Sequence, residues 1–419
     1  MKSPFQKANI LIPSQVELQK WSVVACDQYT SEPEYWNEVE KIVGDSPSTL
    51  KITLPEIYLE EKDVEDRIKK INETMDTYLK DNLFTEYKDS MIYLERKQSD
   101  GKIREGLIGM VDLEDYSYEK GSQTLIRATE KTVIERIPTR VKVRENAQLE
   151  LPHIMILIDD PKKEIIEKLK EEITEKDKIY DFDLMQNGGH VKGYKVPDKV
   201  ADKVITQLEA LGEKDTFEEK YNVKDKGVLL FAMGDGNHSL ATAKACYEKL
   251  KETLPEEEYL NHPARYALVE LVNLHSDALE FEAIHRVLFD LDTEDFLKEL
   301  KKYYKLNENG NGQKFELVTK DVDKTFYIEN PKSNIPVGSI QIFLDEYLKK
   351  HKGKIDYIHG EDVTKELGSK ENNIGIILDA MKKEDLFKTV ILDGALPRKT
   401  FSMGHSQDKR FYLESRKIK

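Results

Sequence analysis

The chain has 419 residues, 65 of them Lys or Arg and 80 Asp or Glu, for a net charge of −15. A surface that negative repels nucleic acid and anionic lipid, which excludes a polynucleotide-binding or membrane-surface role. Hydrophobic residues at 39% and charged residues at 35% describe a globular, well-solvated protein, neither a fibre nor a disordered tail.

That length exceeds what one core comfortably supports, so two or three lobes are expected. No apolar run approaches the roughly 18 residues of a membrane span. The opening MKSPFQKANILIPS lacks the apolar core of a signal peptide, so residence in the cytoplasm is the expectation. Cys26 and Cys246 are the only cysteines and form neither a disulfide framework nor a CxxC knuckle.

In chain order, residues 63–84 place Val64, Ile68, Ile71, Met75, Tyr78, Leu79 and Leu83 at three- and four-residue steps, the pattern of an amphipathic helix. Two strand-like runs follow at 91–95 and 103–111, joined by the turn residues Ser99, Asp100 and Gly101. Between Arg127 and Arg144 six basic residues (Arg127, Lys131, Arg136, Arg140, Lys142, Arg144) oppose Glu130 and Glu135, a local charge of +4. Arginine grips phosphate or carboxylate through two parallel bonds. Read as an extended segment, 137–144 puts Arg140 and Arg144 on one side, facing a cleft shared with Asp235. HIMILI at 153–158 reads as a buried central strand and 162–174 as a charged surface helix. Pro197 opens a further amphipathic helix to 211. RYALVELVNL at 265–274 is a second buried strand, followed by His275, Asp277, His285 and Arg286. The loop NENGNG at 307–312 marks a lobe boundary, and strands and helices alternate from there to Ser402. The expected organisation is α+β, with mixed sheets and helices in lobes 1–125, 126–306 and 307–419.

The most informative stretch is GVLLFAMGDGNHSLATAKACYEKL at 227–250. A buried strand at 228–231 turns sharply into a helix, which aims the first-turn N–H groups at whatever occupies the turn. Gly234 and Gly236 are read as supplying positive φ and close approach. Asp235, His238 and Ser239 put a carboxylate, an imidazole and a hydroxyl beside that turn, with Asn237 between them. Capping alone requires less. No GxxxxGK[ST] is present, the third glycine of a dinucleotide turn is missing, and HExxH, GxSxG and the protein-kinase signatures are absent. Nine histidines show no helical zinc spacing. Asp235, His238 and Glu130 could together hold Mg2+ beside phosphates.

ACDQYTSEPEYW (25–36), PSTLKITLPEIYL (47–59), RATEKT (127–132), RVKVRENA (140–147), GDGNHSLATAK (234–244) and HPARYALVELVNLHSDALEFEAIHRVL (262–288) resemble the blocks of a bacterial family known as domain of unknown function 1015. The Asp-Gly-x-His-(Arg or Ser) turn ahead of a helix also resembles the nucleotide-phosphate turn of the ParB and sulfiredoxin superfamily, which includes free serine kinases. That superfamily usually has Arg where this chain has Ser239, so one phosphate ligand must be replaced from elsewhere. In the serine kinases a Glu and the turn Asp are the acidic catalytic groups. The resemblance implies Asp235 by motif, and Glu130 by its place in RATEKT.

The sequence therefore points to an α+β enzyme with a ParB/sulfiredoxin-like element around 234–239, binding a nucleotide or phosphorylated metabolite and transferring a phosphoryl group to a small hydroxylated metabolite such as serine. Asp235, Glu130 and His238 are the catalytic candidates. Gly234, Gly236, Asn237, Ser239, Arg127, Arg140 and Arg144 are the phosphate ligands, Asp235 the metal ligand, and ATP or ADP with Mg2+ the cofactors. The partner is a small molecule, with self-association into a homo-oligomer left open. A phosphohydrolase, or a sensor without turnover, competes with this reading.

Overall fold

The computed structural model describes residues 1–119, 121–130 and 137–419; Lys131, Glu135 and Arg136 of the basic segment lie outside the described residues. The chain divides into two compact units, Met1–Ala128 with Thr132–Leu279 and His405–Lys419, and Thr129–Lys131 with Glu280–Gly404. Helices and mixed sheets make the class α+β. The sequence placed lobe boundaries near 125 and 306. In the first unit, however, strands from both sides of 125 share one sheet, a long-range pairing that no compositional shift announces.

The first unit is built on a ten-stranded sheet. Helix α1 (Val64–Lys80) precedes the hairpin β1 (Ile92–Lys97) and β2 (Ile103–Asp112). After these come α2 (Ile137–Arg144), β3 (Met155–Ile158), α3 (Asp198–Leu211), β4 (Phe231–Asp235), α4 (Asn237–Lys251) and β5 (Tyr266–Asn273). β1 pairs antiparallel with β2 and β2 with β5; β5 runs parallel to β3, and β3 antiparallel to β4. Successive side chains of a strand point to opposite faces. Ala267, Val269 and Leu271 therefore enter one core with Val204 and Leu208 of α3, while Leu268 enters the other with Ile68, Ile71 and Met75 of α1. Both faces of β5 are covered, which is why it reads as a nearly unbroken apolar run.

Three local expectations change. The basic segment is helical from Ile137, not extended, with Pro138 in the first turn, where a missing N–H costs nothing. The strand expected at 228–231 begins at Phe231 and runs on through Gly234 to Asp235. Residues 162–174 contain one short 3-10 turn, Leu169–Glu171, in place of a surface helix. There the Asp160 carboxylate takes the N–H groups of Glu164 (2.7 Å) and Ile165 (3.0 Å), and Lys163 adopts φ +55°. A side chain that offers the backbone an alternative partner diverts it from helix.

The second unit carries a seven-stranded sheet that includes β6 (Phe281–Phe289), β7 (Gln313–Val318), β8 (Asp323–Ile328) and β9 (Ile374–Ile377), with helix α5 (Pro336–Leu348) among those accompanying it. No helix among the described residues is long and apolar enough to cross a membrane.

Candidate functional site

β4 pairs with β3 at Ala232–Leu157 and Met233–Ile156, then shifts register across Gly234 so that Asp235 faces Met155. Such a bulge bends the strand and re-aims the residue beyond it. Gly236 has φ +78°, and a Cβ there would lie 3.0 Å from Ile154 Cα, so both the conformation and the space demand glycine. Gly234 differs from the expectation: its φ is not positive, and its requirement is close packing, since a Cβ would lie 3.0 Å from Leu157 Cγ. α4 begins immediately, with Gly236 as its cap and no side-chain cap bond. Its ladder opens with Leu240 N–H donating to Gly236 O (3.0 Å). The positive end of a four-turn helix thus meets the turn.

Asp235 Oδ1 accepts the Gly236 amide (2.9 Å) and Oδ2 lies 3.1 Å from Lys409 Nζ. Burial opposes its charge. The Lys409 ammonium, with the Gly236 amide, outweighs that penalty and holds the carboxyl below its usual range.

His153 stands at the entry to β3 and is buried. Its Nε2 is 3.1 Å from Ser239 Oγ, and its Nδ1 is 2.8 Å from the Tyr412 hydroxyl. Asp27 Oδ2 lies 3.7 Å from the same Nε2. Tyr412 Oη also accepts the Cys26 amide (3.2 Å), and burial pushes the Cys26 thiol up to about 12.

Lys409 and Tyr412 belong to the C-terminal segment, which buried charges clamp onto the sheet. Arg96 donates to the carbonyls of Gln407 (3.0 Å) and Lys409 (3.4 Å), and Arg104 to that of Asp408 (3.0 Å). Ser99 binds the Asp408 carboxylate through its amide (2.7 Å) and hydroxyl (2.8 Å). Glu270, wholly buried on β5, joins Arg104 (3.0 Å) to Arg410 (2.7 Å). Removing one member of such a group strands a buried charge, so the segment is firmly fixed.

Beside Ser239 opens a cavity of about 150 Å³. Cys26, His153, Ser239 and Tyr412 form its polar end, and Leu54, Met75, Val143 and Leu149 are among its aliphatic walls. Arg140 and Arg144, one helical turn apart on α2, also line it. Each is matched by an acid: Arg140 pairs with Glu56, and Arg144 with Glu150 at 2.6 Å. Glu150 in turn takes Arg416 (2.8 Å); burial opposes its charge, but the two guanidinium groups hold its carboxyl below the usual range.

The remaining sequence candidates fall out as follows. Asn237 and His238 form the first turn of α4, partly exposed, with the His238 carbonyl accepting the Thr242 hydroxyl (2.8 Å). Arg127, expected as a phosphate ligand, is buried and donates through Nε to the carbonyl of Thr124 (2.8 Å) and through Nη2 to those of Gly227 (2.6 Å) and Val228 (3.1 Å). Glu130 belongs to the second unit, where its backbone pairs with Leu396. His153, Tyr412, Asp27 and Lys409 were missed as site residues. Asp27 sits in a block carrying the family resemblance, but no motif marks Lys409 or Tyr412.

Among the described residues no group of three or more His, Cys, Asp or Glu side chains is arranged to hold a metal ion. Asp235 offers a poor first ligand for Mg2+, because one oxygen already faces an amide and the other an ammonium group that repels a second cation. Lys409 occupies the electrostatic place the metal was expected to fill.

No curated protein is significantly similar in sequence. Among solved structures, a free serine kinase mutant in complex with AMP matches with a TM-score of 0.40 at 13% identity, over 76% of this chain and 93% of that one. A conserved hypothetical protein from Pyrococcus furiosus matches at 0.35 and 11%, over 74% and 94%. SbnI from Staphylococcus aureus, with a C-terminal truncation, matches at 0.37 and 7%, over 71% and 82%. Likeness that faint leaves the chemistry to be argued from the residues. Sequence is decisive about kinship: the chain belongs to the family described as Protein of unknown function (DUF1015), whose model matches residues 8–347.

Proposed function

We propose that the protein binds a nucleotide or phosphorylated metabolite with a phosphate seated at the Gly236–Ser239 turn, and transfers a phosphoryl group to a small hydroxylated acceptor. The observation that carries this reading is the joining of a glycine-capped helix N-terminus to the Asp235–Lys409 pair. Helix amides and a lysine answer the phosphate charge, and Asp235 is the acidic catalytic candidate beside the turn. The neutral cavity beside Ser239, with its arginines already matched by Glu56 and Glu150, suits the uncharged part of the ligand. ATP or ADP is the donor the turn resemblance suggests, and free serine the acceptor. Glu130 remains a second acidic candidate on the resemblance alone.

The test is to incubate the protein with ATP or ADP and a panel of hydroxylated metabolites, with mass detection of products. A phosphorylated acceptor formed at the expense of nucleotide supports the reading. Binding without turnover moves the protein to the sensor class, and phosphate release without acceptor to the hydrolases.

A further inference from the structure

The superfamily arginine is replaced here by a serine that is hydrogen-bonded to a buried histidine. His153 Nδ1 lies 2.8 Å from the Tyr412 hydroxyl, whose oxygen also accepts the Cys26 amide at 3.2 Å. Nε2 faces Ser239 Oγ at 3.1 Å, so the ring presents Nε2 to the serine as the accepting nitrogen whenever its proton sits on Nδ1 against Tyr412. Asp27 Oδ2 lies 3.7 Å from Nε2, so a carboxylate stands beside the same edge of the ring. Ser239 lies in the first turn of α4, where the helix N-terminus stabilises charge developing on a transferring group. A hydroxyl, an adjacent base and a group that orients the base are the parts of an activated nucleophile.

We infer that Ser239 is a covalent nucleophile, with His153 as its general base, and that phosphoryl transfer at this turn passes through a phosphoserine at position 239. The inference rests on the proposed phosphate-binding reading. In the first step Ser239 Oγ attacks phosphorus; the Oγ–P bond forms, the bond from phosphorus to the leaving oxygen breaks, and the serine proton moves to His153 Nε2 and on to the leaving group. In the second step an acceptor hydroxyl, or water, attacks the phosphoserine and gives its proton to His153. The Oγ–P bond breaks, and serine is restored with a proton from the imidazolium. Tyr412 acts as a positioning residue by holding the imidazole through Nδ1.

The experiment incubates the full chain with acetyl phosphate or ATP, quenches in acid and locates phosphate by peptide mass spectrometry. The inference predicts label on the Ser239 peptide that is stable to hydroxylamine, absent in Ser239→Ala and formed about 100-fold more slowly in His153→Gln. Tyr412→Phe slows labelling and displaces its pH profile, which a purely structural role would not do. Hydroxylamine-labile label on Asp235, or donor binding with no label on Ser239, overturns the inference and leaves the phosphate-binding reading standing. Failure of inorganic phosphate and ATP to bind at all overturns both.

Discussion

Lys409 Nζ lies 3.1 Å from Asp235 Oδ2, joining the C-terminal segment to the strand-to-helix turn. Position 409 falls outside the 8–347 match, so the family pattern alone does not contain this charge. Lys409→Met is expected to weaken phosphate binding about tenfold, the worth of one charge-assisted bond. It should also raise the Asp235 carboxyl toward its ordinary value, since the lysine is the main group holding it down. Calorimetry with inorganic phosphate and a carboxyl titration by NMR check the two outcomes.

Asp235→Asn keeps the side-chain oxygen that accepts the Gly236 amide and removes the charge. Transfer activity should fall by about 100-fold or more, with a stability loss of roughly 1 kcal/mol or less for this partly exposed pair. A large drop in melting temperature that tracks the activity loss would make Asp235 a structural cap.

Asp159, just past β3, offers a pH test away from the site. Burial opposes its charge, but His275 Nε2 (2.6 Å), Lys220 (2.9 Å) and the Tyr221 hydroxyl (2.5 Å) lower its carboxyl from 3.8 to about 2. A depressed carboxyl stabilises the fold fully above its unfolded value and loses that contribution as pH falls toward the folded one. Asp159→Asn is therefore expected to cost roughly 2 kcal/mol at pH 7. The difference should narrow between pH 4 and 2, as read by urea unfolding across that range.

Cys26 is expected to resist alkylation in the native protein at pH 8, because burial has pushed its thiol up to about 12 and the thiolate is the reactive form. Unfolding in urea should expose it. Peptide mapping after iodoacetamide treatment distinguishes the two states.

Local pattern made much of the first unit legible. The three- and four-residue steps of α1, the Ser99-Asp100-Gly101 hairpin and the apolar runs of β3 and β5 each have a periodicity or turn chemistry that the neighbouring residues alone determine. The glycine turn was legible for the same reason. His153 was read only as a strand residue, because what makes it chemical is Tyr412, 259 positions away. For Arg127 the sequence shows an arginine's charge and not the three carbonyls that its Nε and Nη2 meet in the fold. The surface helix at 162–174 failed on one side chain, Asp160, whose carboxylate captures two backbone amides. These are tertiary or side-chain-to-backbone effects, which residue spacing does not encode.

The central claim, that the 236–239 turn seats a phosphate, is tested most directly by calorimetric titration of inorganic phosphate and ADP into the wild-type chain and Gly236→Val. A β-branched side chain opposes φ +78° and collides with Ile154. The account predicts saturable binding of both ligands to the wild type and loss of both in the variant, with its circular dichroism spectrum largely retained. Equal affinity in the two proteins would contradict it.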